Sequence, residues 1–117
     1  MIAHIVLFRP KAELSPQERD GIGAAFADAV KDIDAIRSVR VGRRILIGRG
    51  YEQLMTEDFT HAAILEFDDR AGLQAYLEHP THTALAARFF AIFDRALMYD
   101  YELGDASHVE RLTHDTA

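Results

Sequence analysis

The chain has 117 residues, 49% of them hydrophobic and 27% charged, which fits one globular domain with a real core and excludes a disordered or collagen-like chain. A formal net charge of −6 argues against nucleic acid or an anionic membrane as partner, because both attract a basic face. With no cysteine there are no disulfides and no thiolate chemistry, and nothing points to export.

The run Met1-Ile2-Ala3-His4-Ile5-Val6-Leu7-Phe8 is too short to span a membrane and has no positive leading region or small-residue cleavage site, so a cytoplasmic protein is expected. Residues 2–9 read as a strand closed by Pro10. Ile2, His4, Val6 and Phe8 share one face and Ala3, Ile5 and Leu7 the other, so the strand is central and covered on both sides. Ser15-Pro16-Gln17-Glu18 is a capping box with proline in the first turn. The spacing predicts a helix over 16–35, with Ile22, Ala25, Phe26, Ala29, Val30 and Ile33 inward.

Residues 39–47 read as a second strand, bent or bulged at Gly42, in the arginine-rich part of the chain. A loop over 48–59 follows, with one helical turn around Tyr51 to Met55. Residues 61–67 are a third strand with His61, Ala63, Leu65 and Phe67 on one face. Asp69 caps a helix over 70–78. Pro80 lacks an N–H and pushes His79 out of the α region, so Tyr76-Leu77-Glu78-His79-Pro80-Thr81-His82 is a helix-stop-helix corner. A further helix over 82–95 buries Leu85, Phe89, Ile92 and Phe93, and residues 97–103 alternate as a fourth strand with Leu97, Tyr99, Tyr101 and Leu103 together. Residues 104–117 are polar and read as a flexible tail or a dimer arm.

The order β-α-β-β-α-β, with the second helix broken at Pro80, is the α+β ferredoxin-like split βαβ pattern. The sheet face at Ala3, Ile5, Leu7, Ala62 and Ile64 is apolar yet has no helix to cover it, which predicts a homodimer packed sheet on sheet. With strands 1 and 3 taken as parallel neighbours, His4 and His61 start their strands at one end of the sheet. The corner then brings Tyr76, His79 and His82 to that end, and the fourth strand brings Tyr99 and Tyr101.

The opening Met1 to Phe8, Phe59-Thr60-His61, Phe67, the corner Tyr76 to His82 and Tyr99-Asp100-Tyr101 together resemble the stress-responsive α/β-barrel (Dabb) domain over residues 1–103. The resemblance implies a dimeric α/β barrel of ferredoxin-like units. One branch of that family is similar to plant polyketide cyclases, in which a tyrosine and a histidine do acid–base work with no metal or organic cofactor. By motif position these are Tyr76 and His82, with His4 and His61 as further pocket residues. Where the cyclase has an additional pocket tyrosine on the first helix, this chain has Phe26.

On these grounds His82 is the candidate general base and Tyr76 its hydrogen-bonding partner, while His4, His61, Tyr101 and His79 are candidate ligand-binding residues. No metal site is expected: His79 and His82 span a proline, and no inward carboxylate is visible. No nucleophile motif or glycine-rich phosphate loop is present. No cofactor is expected. Two function classes stay open: a dimer of this type that binds a small apolar molecule without assigned activity, and a cofactor-independent cyclase, lyase or isomerase. A pocket open to solvent at the His4/His61/His82 end is the feature that separates them.

Overall fold

The computed structural model describes residues 1–114. In order the elements are β1 (Ile2–Pro10), α1 (Pro16–Asp32), β2 (Ser38–Arg43), a 3-10 turn (Gly50–Leu54), β3 (His61–Phe67), α2 (Arg70–Glu78), α3 (Pro80–Ile92), β4 (Phe93–Glu102), a second 3-10 turn (Ala106–His108) and α4 (Val109–His114). This is the ferredoxin-like α+β fold: four strands in the order β2-β3-β1-β4, with α1, α2 and α3 over one face. No described helix is long and apolar enough to cross a membrane.

Every neighbouring pair of strands is antiparallel, which corrects the parallel pairing of strands 1 and 3 expected above. In two interlocked βαβ units each helical crossover joins strands of the same direction with one foreign strand between them, so β1 and β3 must run in opposition. The start of β1 therefore meets the end of β3, with Ile2 opposite Phe67, whereas His61 lies opposite Phe8. His4, opposite Leu65, is four register positions from the His61 pair, about 13 Å along the strand.

The helix-facing residues are as the alternation predicts. Ile2, Val6, Phe8, Ala63, Leu65 and Phe67 form the core with Ala29, Ile33, Tyr76, Leu85 and Phe89 from the helices. Phe67 and Ala63 are fully buried, and burying a side chain the size of Phe67 contributes about 1.5–3 kcal/mol. On α1, Val30 does not belong to this stripe and is 55% exposed. The opposite sheet face carries Ile5, Leu7, Ile64, Leu97, Tyr99 and Tyr101, and the last four are all exposed. Tyr99 and Tyr101 thus point away from the helix side, in phase with Ile5 and Ala3, and do not join the histidines.

Element boundaries move where pairing overrides local pattern. The second strand stops at Arg43 rather than 47, because its partner β3 begins opposite that residue at His61. Beyond it, Glu52 accepts the backbone N–H groups of Ile47, Gly48 and Arg49 at 2.7–2.9 Å, and Gly48 takes a positive φ of 83°. Those bonds hold the Glu52 carboxyl below the usual range. The fourth strand begins at Phe93 rather than 97, since β1 pairs Arg9 with Arg95 and Phe8 with Ala96 and so ends α3 at Ile92. The first helix closes at Asp32, where the Ile33 N–H donates to the Ala29 carbonyl. Ser15 and Glu18 form the expected capping box. In the tail, Asp105 caps a 3-10 turn that leads into the exposed helix α4; residues 115–117 lie outside the described residues.

Candidate functional site

The corner sets the site. His79 has φ −71° and ψ 139°, the extended conformation that a following proline demands, and ends α2. Pro80 then takes the first position of α3, where a missing N–H costs nothing. The His79 ring accepts the Thr81 N–H through Nδ1 at 3.0 Å, so its side chain caps α3. Thr81 Oγ1 donates to Asp32 at 3.1 Å and ties the corner to the end of α1. The third residue of α3 is His82.

From this corner Tyr76 and His82 turn toward the sheet. Tyr76 is buried, with its ring centroid 4.6 Å from His82 in an edge-on contact, 5.9 Å from His4 and 5.3 Å from Phe67. The three polar rings line a cavity of about 170 Å³ whose other walls are apolar, including Val6, Phe26, Leu65 and Phe89. That is smaller than a drug-sized site, for which about 300–1,000 Å³ is typical, so it suits a compact ligand. Phe26 packs edge-on against Phe89 at 5.4 Å.

The chemistry follows from burial. Desolvation is the leading cause that lowers the His82 pKa from its ordinary value; the nearby His4 acts in the same direction, and a hydrogen bond to the Leu77 backbone carbonyl opposes them. In its neutral form the His82 imidazole keeps one ring nitrogen as a lone-pair acceptor. Burial pushes the Tyr76 phenol up to about 12, so it stays protonated and donates. His4 is itself buried, and its Nδ1–H donates to Asp100 at 2.6 Å. That bond fixes the tautomer and orientation of the His4 ring.

Of the residues singled out in the sequence, His4, Tyr76 and His82 come together. His61 stacks on Phe8 at 5.5 Å and faces a separate groove beside β2. His79 serves the backbone as a cap, and Tyr101 lies on the open sheet face at the rim of a groove along α2. Asp100 escaped the sequence reading, although a signal for it existed. On β4 it shares the phase of Ala96, Met98 and Glu102, opposite to Leu97, Tyr99 and Tyr101, and of the two acids in that phase it is the one opposite His4. Among the described residues no group of three or more His, Cys, Asp or Glu side chains is placed to hold a metal ion.

The fold has close counterparts. The chain is similar to the crystal structure of an Arabidopsis thaliana protein at a TM-score of 0.74 and 22% identity, covering 91% of this chain and 98% of that one. It is also similar to the hydroxynitrile lyase of Passiflora edulis at a TM-score of 0.73 and 21% identity, covering 90% and 94%. A structure from Thermobifida fusca, at a TM-score of 0.66, 22% identity and coverage of 87% and 90%, is described as a dimeric ferredoxin-like protein of unknown function. By sequence, the chain is 26% identical over 98 residues to a stress-response A/B barrel domain-containing protein of Arabidopsis thaliana, which is 84% of this chain and 82% of that one. It is 20% identical over 100 residues to the olivetolic acid cyclase of Cannabis sativa, covering 86% and 94%. The model of the stress responsive A/B barrel domain, Dabb, matches residues 2–103, and the chain belongs to that family.

Proposed function

We propose that this protein is a homodimer that binds a small, mostly apolar carbonyl compound in the cavity between α3 and the sheet and catalyses proton transfer on it without a cofactor. The observation that carries the reading is the convergence of His82, Tyr76 and His4 on an apolar cavity, with burial holding His82 toward its neutral form. A neutral imidazole accepts a proton from the carbon next to a carbonyl, and the Tyr76 hydroxyl donates a hydrogen bond to the oxygen on which charge develops. Return of the proton to a different carbon gives isomerisation, and attack of the new carbanion on a second carbonyl within the same molecule gives ring closure. His4, aligned by Asp100, is the second polar contact for the ligand. The Cannabis sativa cyclase and the Passiflora edulis lyase carry enzyme names, which favours catalysis over binding alone.

Dimerisation is read from the uncovered sheet face, where Ile64, Leu97, Tyr99 and Tyr101 stand 39–49% exposed beside Ile5 and Leu7. The test of the catalytic reading needs no natural substrate. In D₂O, simple ketones should exchange the hydrogens next to the carbonyl faster in the presence of the protein. His82→Ala should remove about 10²–10⁴-fold of that acceleration while the fold remains. A wild-type chain that neither binds ketones nor accelerates exchange would refute the reading.

A further inference from the structure

We infer that the ligand of this cavity is an uncharged carbonyl compound, and that the mouth of the site discriminates against the same acyl group carried on a phosphate-bearing coenzyme. The inference rests on the reading of the cavity as a carbonyl site and adds what its approaches select.

Three cavity-lining residues are also exposed: Leu77 at 40%, Met98 at 49% and Phe90 at 66%. The cavity therefore opens at the free edge of β4, between that strand and the α2–α3 corner, through an apolar rim. Outside the rim runs a second space of about 530 Å³ between α2 and the end of β4, with Leu77 as a wall common to both. On α2 it is lined by Arg70, Gln74 and Glu78, which recur every four residues and share one face. On β4 it is lined by Asp100 and Glu102, which continue the phase of Met98.

The charges along this approach are three carboxylates against one guanidinium. Glu78, one residue past Leu77, and Asp100, two residues past Met98, flank the rim. Arg70 sits eight residues back along α2, about 12 Å from Glu78 along the helix axis. The Gln74 amide donates to Glu78 at 3.2 Å, which orients that carboxylate without neutralising it. An anionic tail leaving the cavity thus meets two negative charges, Glu78 and Asp100, the second of which accepts a hydrogen bond from His4. At about 10 Å in water each of them weakens the binding of one ligand charge about twofold. The two together cost about fourfold per ligand charge, so a multiply charged tail loses well over tenfold at low salt. The overall charge of −6 adds to the same field. A neutral ligand meets the apolar rim and the Gln74 amide and pays none of this penalty.

The test compares two probes with the same thioester head, S-acetyl-N-acetylcysteamine, which is uncharged, and acetyl-coenzyme A, which is polyanionic. Both are titrated into the full chain at low ionic strength and followed by the NMR shifts of the Tyr76 and His82 rings. The neutral thioester should bind at least tenfold more tightly. Raising the salt to about 0.5 M, where the screening length falls to a few ångströms, should close most of that gap, and Glu78→Gln, which removes one of the two charges at the rim, should close about half of it on a logarithmic scale. Equal or tighter binding of acetyl-coenzyme A, lost on Arg70→Ala, would overturn the inference and leave the carbonyl-site reading standing. Binding of neither probe, together with no ketone exchange, would overturn the carbonyl-site reading itself and this inference with it.

Discussion

Tyr76 allows packing and chemistry to be separated in one position. Its ring is wedged between Phe67, His4 and His82 and is 3% exposed, so the ring belongs to the core whatever the hydroxyl does. Tyr76→Phe keeps that ring and removes only the oxygen. The hydroxyl is neutral and buried with the ring, so the desolvation cost that its loss removes offsets any hydrogen bond lost with it, and stability should change by no more than about 1 kcal/mol, in either direction. Tyr76→Ala instead opens a void against three rings and should cost about 3–5 kcal/mol. If the hydroxyl stabilises a developing oxyanion, Tyr76→Phe should nevertheless reduce ketone exchange by about 10²–10³-fold, the usual cost of losing one such donor. Urea unfolding reads the first quantity and NMR-detected deuterium exchange the second. A Tyr76→Phe chain with full exchange activity would show the hydroxyl to be a bystander. One destabilised as much as Tyr76→Ala would show that the hydroxyl is structural.

Two further outcomes follow from the same geometry. Because the folded-state pKa of His82 lies below its ordinary value of 6.5, its contribution to stability is complete above pH 6.5 and is lost as the pH falls through the lowered value; the unfolded chain takes up the proton first. Urea midpoints should therefore drop on acidification below pH 6.5, less so in His82→Gln, and wild-type ketone exchange should fall over the same range, whereas exchange that rises toward pH 5 would contradict a neutral base. On the open sheet face, Ile5→Asp should convert a dimer into a monomer at micromolar concentration by placing a charge in the contact, as read by sedimentation equilibrium; a wild-type chain that sediments as a monomer would refute the sheet-to-sheet dimer.

Much of the fold was legible in the sequence because it is written in local chemistry. Alternation along 2–9 and 61–67 assigned the right residues to the core, Ser15 and Glu18 marked a helix start, and Pro80 marked the corner that places His82 beside Tyr76. These depend on period, capping and the geometry of proline, which act within a few residues. Strand direction is not local. Whether β3 runs with or against β1 is decided by the two crossovers together, and reading that wrongly moved His61 to the far end of its strand from His4. The same global pairing set the phase of β4, which turned Tyr101 outward and brought Asp100 onto His4. Even the cause that keeps His82 toward its neutral form belongs to tertiary structure. Its place at a helix start was readable from Pro80, but the leading cause is burial against the core, which exists only once the helices have closed over the sheet.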